Sequence, residues 1–370
     1  MPGSTTPSRS DDRRLAATLE RIVSNPVRAF GPGRVNLIGE HTDYNDGLCL
    51  PFAIELGVTV EARDGPDGEV RARAAELGEA DAFELASPPR TDGWTAFVRG
   101  TVAELQRAGD RLRGAELTIR GDVPRGAGLA SSAALEVALA LALLEHSGCA
   151  EPDRRVLARL CSRVENDWVG AQTGLLDQLA SLFGRPGHAL RLDTRDLSIT
   201  PVALRLGEWR LVTVDSGAAH SHSASGYNAR RDECHRAAAA LGIGSLRDAT
   251  MADLARLPAP LERRARHVLA ENERVEAAVA ALERDDLAAL GRLLDASHAS
   301  LRDLYEVSVP AVERTVDALK AAGAAGARMV GGGFGGAVLA LMPPGAPLPP
   351  EAVVVTPGPS ARLLDAEPRT

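Results

Sequence analysis

The sequence predicts an α+β protein of two domains, on three observations. Its 370 residues exceed one average domain and suffice for two, each with its own core. Strand-like and helix-like patterns interleave unevenly rather than in a regular βαβ alternation. A stretch bearing Pro, Gly and Asp around 185–205 separates a strand-bearing first part from a second part dominated by long helical patterns. Domains are therefore expected at 15–195 and 196–370.

The elements follow in order. Residues 1–14 are polar and lack the apolar stretch of a signal peptide, and LAATLERIV has helical spacing. The strand-like AFG leads into a glycine-bearing segment at 31–47. PFAIELGVTVEAR alternates as strands do, and 64–69 looks like a turn. Glu116–Arg120 alternates as a strand and meets the loop GDVPRGAGLA; SSAALEVALALALLEHSG then forms a helix ending at a glycine. A second helix covers 151–170 and a third begins just after Gly174. Strands return over 188–215, with WRLVTVDS the clearest. Helical patterns occupy 226–241, 260–283, 285–302 and 309–322, before the loop GGGFGGA and the apolar strand VLALM.

Composition excludes several functions. A formal net charge of -8 opposes a nucleic-acid partner, which needs a dominant basic face, but not a nucleotide, which needs only a local positive pocket. The longest apolar stretch, inside 133–144, is interrupted by Glu136, so no membrane span is expected. Cys49, Cys149, Cys161 and Cys234 show neither a C-x-x-C pair nor zinc spacing, as in a reducing, cytoplasmic protein. The chain contains a single lysine, Lys320, late in the AVERTVDALKAAG helix. A Walker-A loop, a protein-kinase site and Schiff-base chemistry would each need a lysine elsewhere.

Four segments can carry chemistry. In Pro124-Arg125-Gly126-Ala127-Gly128-Leu129-Ala130-Ser131-Ser132 a strand runs in and a helix leaves, so small residues and free N–H groups can meet phosphate oxygens. Taken alone, a strand-to-helix turn with a serine cap explains it equally well. Gly31–Gly47 offers Arg34, Glu40, His41 and Asp43 within ten residues, a set suited to multidentate hydrogen bonding with a polyol. One histidine with two carboxylates at this spacing is a weak metal site. Asp177 stands at the start of an apolar helix, where a cap is the ordinary reading, and Glu165 lies on a helix as a solvated residue would. The run Gly331–Gly336 requires close backbone approach to a ligand or another loop, without the context of a dinucleotide fingerprint. His220, His222 and His235 with Cys234 match no common zinc spacing.

Taken together, these segments resemble one family. GRVNLIGEHTDYNDG resembles the galactokinase signature almost residue for residue; PRGAGLASSAALEVA and GARMVGGGFGGAV resemble the phosphate loop and third motif of the GHMP kinase superfamily. VENDWVGAQTGLLDQ, SASGYNARRDEC and SHASLRDLYEVSVP extend the likeness in the same order over about residues 28–340. The resemblance implies an N-terminal domain like ribosomal protein S5 domain 2 and a ferredoxin-like C-terminal domain, with the active site between them. It implies ATP-dependent phosphorylation of galactose at its anomeric hydroxyl, the first committed step of galactose catabolism.

By position it makes Asp177 the base and Arg34 its partner. Glu40, His41, Asp43, Gly174 and Tyr227 would bind the sugar, the loop Pro124–Ser132 would cradle ATP, and Ser132 and Glu165 would hold Mg2+. A monomer with only small-molecule partners is expected. Ala130 stands where the family usually has serine, Thr173-Gly174-Leu175-Leu176 replaces Cys/Ser-Gly-Ile-Met, and Ala337 replaces Cys or Ser. None of these removes a group with a chemical role. Rival readings are the same chemistry on N-acetylgalactosamine or arabinose, and a non-catalytic sugar sensor; intact Ser131, Ser132 and Asp177 oppose the latter.

Overall fold

The computed structural model describes residues 26–124, 128–218 and 223–365, and the elements are numbered within them. Strands β1 (Val27–Asn36), β2 (Leu48–Cys49), β3 (Pro51–Asp64), β4 (Glu69–Ala74) and β5 (Glu79–Glu84) precede helix α1 (Trp94–Ala108) and strand β6 (Ala115–Gly121). Helices α2 (Ser131–Ser147), α3 (Arg154–Arg163) and α4 (Leu176–Phe183) come next, then β7 (His188–Asp193), β8 (Ser198–Ala203) and β9 (Arg210–Asp215). The rest runs α5 (Ser223–Leu241), α6 (Leu261–Glu283), α7 (Leu287–Ser300), α8 (Pro310–Ala321), β10 (Gly326–Met329), β11 (Ala337–Met342), β12 (Val353–Val355) and β13 (Arg362–Leu364).

Among the described residues the strands form three sheets, ordered β13-β1-β3-β6-β4-β5, β10-β11-β9-β12 and β2-β7-β8. All neighbours are antiparallel except β4 and β6. The large sheet packs its inward residues, Val60, Ala62 and Leu117 among them, against α2. That helix is apolar all round because α1, α3 and α4 enclose its other sides. Its first turns lie directly on β1. A Cβ on Gly31 would come 2.1 Å from the Ala134 carbonyl oxygen, and one on Gly33 2.6 Å from that of Leu129. Glycine at both positions is thus what lets the helix start beside Arg34. Leu37, Leu50 and Phe52 of the first half share one core with Leu211, Val275 and Leu339 of the second, so the two halves meet across apolar surface.

Two features differ from the pattern read in the sequence. The chain recrosses the division expected at 195/196, because β13 pairs antiparallel with β1 through Arg28↔Leu364 in the first sheet. The helix expected over 151–170 is α-helical only to Arg163 and widens over Val164–Val169 into a π-helical stretch. There Asn166 donates to the Ser162 carbonyl at 2.7 Å, a side-chain bond competing with the ladder. Among the described residues no helix is long and apolar enough to cross a membrane.

Candidate active site

A cavity of about 320 Å³ opens where the end of β1, the segment after it, the starts of α2 and α4, the π-helical stretch, α5 and the Gly331–Gly333 loop converge. Arg34, Glu40, His41, Asp43, Ser132, Glu165, Gly174, Asp177 and Tyr227 all line it. Among the residues proposed from the sequence, Arg125, Gly126 and Ala127 of the glycine loop lie outside the described residues, as do His220 and His222.

At its centre the Arg34 guanidinium donates to both oxygens of Asp177, Nε to Oδ1 at 2.6 Å and Nη2 to Oδ2 at 2.7 Å. Its Nη1 donates to the Gly128 carbonyl at 2.7 Å. Arg34 is buried, and Asp177 keeps its guanidinium firmly charged against the cost of burial. One side chain therefore links the acid at the start of α4 to the loop at the start of α2. Ala130 precedes α2 in the left-handed region (φ 55°), and no side chain caps the helix. Its first amides are left to an incoming anion.

Beyond this pair the cavity is acidic. Burial pushes the Asp43 carboxyl up to about 6 and Glu165 up to about 7, and the nearby Asp177 charge adds to both shifts. Glu165 is delivered by the π-helical stretch; its Oε2 accepts from Thr173 Oγ1 at 2.8 Å and Gln178 Nε2 at 2.9 Å. Glu165 and Ser132 offer a carboxylate and a hydroxyl oxygen to one space, a donor set suited to Mg2+ when phosphate oxygens and water complete the shell. Among the described residues no three His, Cys, Asp or Glu side chains converge to hold a metal by themselves.

Gly174 is fixed by close approach: a Cβ there would fall 2.0 Å from Asp43 Oδ2. The Tyr227 ring lies 5.3 Å from that of His41 and packs beside Gly332, where a Cβ would come 2.8 Å from it. His41 is buried with its acidity shifted so that the imidazole is neutral, chiefly by desolvation and by neighbouring His267. Glu40 lines the cavity yet already has protein partners. Its Oε1 accepts from Gly331 N at 2.9 Å and faces Arg328 at 3.3 Å, and its Oε2 meets Asn36. Burial still outweighs Arg328 and lifts its carboxyl to about 7. The glycine run is pinned through the Gly331–Glu40 bond and by Phe334 N donating to Val307 O at 2.7 Å.

Sequence reasoning missed several supports. Arg328, wholly buried, donates to the carbonyls of Asn36 and Leu37 at 3.0 and 3.2 Å and so ties β10 to the segment after β1. Gln178 bridges Glu165 to Glu136, which is wholly buried on α2. A carboxylate interrupting the apolar run 133–144 was the one visible signal; Arg328 and Gln178 gave none.

Residues 96–185 match the family description "GHMP kinases N terminal domain", residues 278–348 "GHMP kinases C terminal", and residues 20–64 "Galactokinase galactose-binding signature". A galactokinase of Streptomyces coelicolor is 46% identical over 326 residues, spanning 84% of this chain and 83% of that protein. The chain belongs to the galactokinase family. A galactokinase of Thermotoga neapolitana is 43% identical over 321 residues, 86% of this chain and 90% of that one. Among solved structures, Lactococcus lactis galactokinase complexed with galactose superposes with a TM-score of 0.86 at 32% identity, covering 95% of this chain and all of that one. Methanococcus jannaschii mevalonate kinase, at 18% identity and a TM-score of 0.63 over 86% and 91% of the two chains, shares the fold. The galactokinase-family fold found here is thus the two-domain GHMP kinase fold, and ATP is the co-substrate of this kinase.

Proposed function

We propose that this chain transfers the γ-phosphoryl group of ATP to the anomeric hydroxyl of galactose, with Asp177 as base and Arg34 as its partner. The observation that carries the roles is the bidentate Arg34–Asp177 pair, set between the acidic cavity and the open start of α2. Asp177 accepts the O1 proton as O1 attacks the γ-phosphorus; the bond to the bridging oxygen breaks and ADP leaves. The Arg34 guanidinium orients the carboxylate through two hydrogen bonds, and its positive charge stabilises charge developing on the transferring group. Asp43, His41, Glu40, Tyr227 and the backbone at Gly174 hold the sugar hydroxyls. The loop Pro124–Ser132 and the α2 amides hold the phosphates, so no lysine is needed.

Ser132 and Glu165 would hold Mg2+, which when bound supplies charge neutralisation on the phosphates. A carboxyl raised to about 7 beside a second carboxylate is a group that gains from a cation. The four cysteines are free thiols, which supports a reducing, cytoplasmic location.

The test is ADP release with ATP and magnesium against galactose, glucose, N-acetylgalactosamine, arabinose and mevalonate. Galactose turned over far above the rest supports the reading. Preference for another sugar overturns the substrate, and silence on all of them from a folded, ATP-binding protein overturns the activity.

A further inference from the structure

Behind the cavity runs a line of hydrogen bonds that the proposed chemistry does not use. His41 Nδ1 lies 2.8 Å from the Tyr44 hydroxyl, which lies 2.9 Å from the Tyr305 hydroxyl, which lies 3.0 Å from the Cys234 sulfur. Tyr305 and Cys234 are wholly buried, and the Tyr305 ring stacks 4.6 Å from that of His41. At the other end, His41 Nε2 is buried without a hydrogen-bond partner among the described residues.

Each phenol carries one proton, so the line can run in only two ways. In one, Nδ1–H donates to Tyr44, Tyr44 to Tyr305 and Tyr305 to the sulfur, leaving Nε2 a bare acceptor. In the other, the thiol donates, every bond reverses, and Nε2 carries the proton. Two features favour the first. A phenol is a stronger donor than a thiol. A buried N–H with no acceptor is rarer and more costly than a bare lone pair, and Nε2 has no protein acceptor among the described residues.

We infer that Tyr44, Tyr305 and Cys234 are positioning residues that lock His41 in its Nδ1–H tautomer, so that Nε2 takes a hydrogen bond from a hydroxyl of the bound sugar. This rests on the sugar reading above for its last clause only. The lock makes the site selective for a ligand that donates at that point, and it is set by residues away from the phosphate loop.

The tautomer is read directly from long-range 1H–15N spectra of the full chain labelled with [15N]histidine, with His41 assigned through its loss in His41→Asn. An unprotonated Nε2 and a protonated Nδ1 in the sugar-free protein are expected; a protonated Nε2 overturns the inference. Because no sugar is present, this outcome stands apart from whether galactose is the substrate. Tyr44→Phe removes the acceptor for Nδ1–H and is expected to mix the tautomers and raise KM for galactose roughly five-fold, with a smaller change in kcat. Cys234→Ser keeps an acceptor for Tyr305 and should keep the wild-type spectrum. Should Tyr44→Phe fail to fold, monodeoxy and monofluoro galactoses with the wild-type protein decide the same point. Fluorine cannot donate, so at the position His41 serves the fluoro sugar should bind no better than the deoxy sugar. A fluoro sugar that recovers the affinity at every position overturns the acceptor role.

Discussion

Replacing Asp177 by Asn separates the charge of this side chain from its shape. Wild-type Asp177 receives Arg34 Nε and Nη2 on its two oxygens, and the third guanidinium contact goes to Gly128 O. Asparagine keeps one acceptor, so Arg34 Nε and the Gly128 contact can persist while the amide nitrogen turns an N–H toward Nη2. Two losses follow. The proposed base is gone, which costs about 10²–10⁴ in rate, or roughly 3–5 kcal/mol of barrier. The guanidinium, with its side chain 8% exposed, loses its counter-charge. Breaking a buried pair costs about 3–5 kcal/mol, and the 23% exposure of Asp177 places the expected cost toward the lower end. The assay is ADP release at saturating ATP and galactose, with a guanidinium-chloride unfolding curve and ATP binding on the same sample. The expected result is a fall in kcat of at least 10²-fold, folded protein and retained ATP binding. Turnover within tenfold of wild type would refute the base role, whatever the stability change.

Three further outcomes follow from the geometry. Gly174→Ala places a methyl 2.0 Å from Asp43 Oδ2 and must displace that carboxylate, so kcat/KM for galactose should fall roughly 10²-fold while KM for ATP changes little. Glu136 is wholly buried, so desolvation, with Glu165 adding, holds its carboxyl well above the ordinary range. A group more basic in the folded state stabilises most at low pH and loses that contribution as pH rises through its folded value; Glu136→Gln should therefore gain stability over wild type at pH 8, and the gain should vanish near pH 4 in denaturant titrations. Arg328→Met strips Glu40 of its buried cation and two carbonyls of their donor, and should lower the unfolding free energy by about 3–5 kcal/mol. Glu40→Gln on that background should recover part of the loss, a coupling a double-mutant cycle measures.

What could be read in advance divides along a physical line. The strands and helices were visible because amphipathic and apolar periodicity is local, and the boundaries of α6 and α8 lie within a residue of the spans inferred from it. The cavity residues were legible through the resemblance, since Asp177 and Glu165 read in isolation look like a helix cap and a solvated face. Their roles depend on contacts 143 residues apart in the case of Arg34 and Asp177, and no local pattern encodes such a distance. The supports were illegible for the same reason. Arg328 sits in a strand of buried small and apolar residues and looks like an error in the pattern until the carbonyls of Asn36 and Leu37 and the Glu40 carboxylate are placed around it. Tyr305 reads as a core aromatic, and only its hydroxyl contacts to Tyr44 and Cys234 connect it to His41. A buried polar atom must find a partner, and its partner is the information that the linear sequence omits. Arg34, Glu40, His41 and Asp43 stand out by type and spacing and Asp177 and Glu165 only through the resemblance, whereas the residues that orient them are recognised only by which buried donors and acceptors they satisfy.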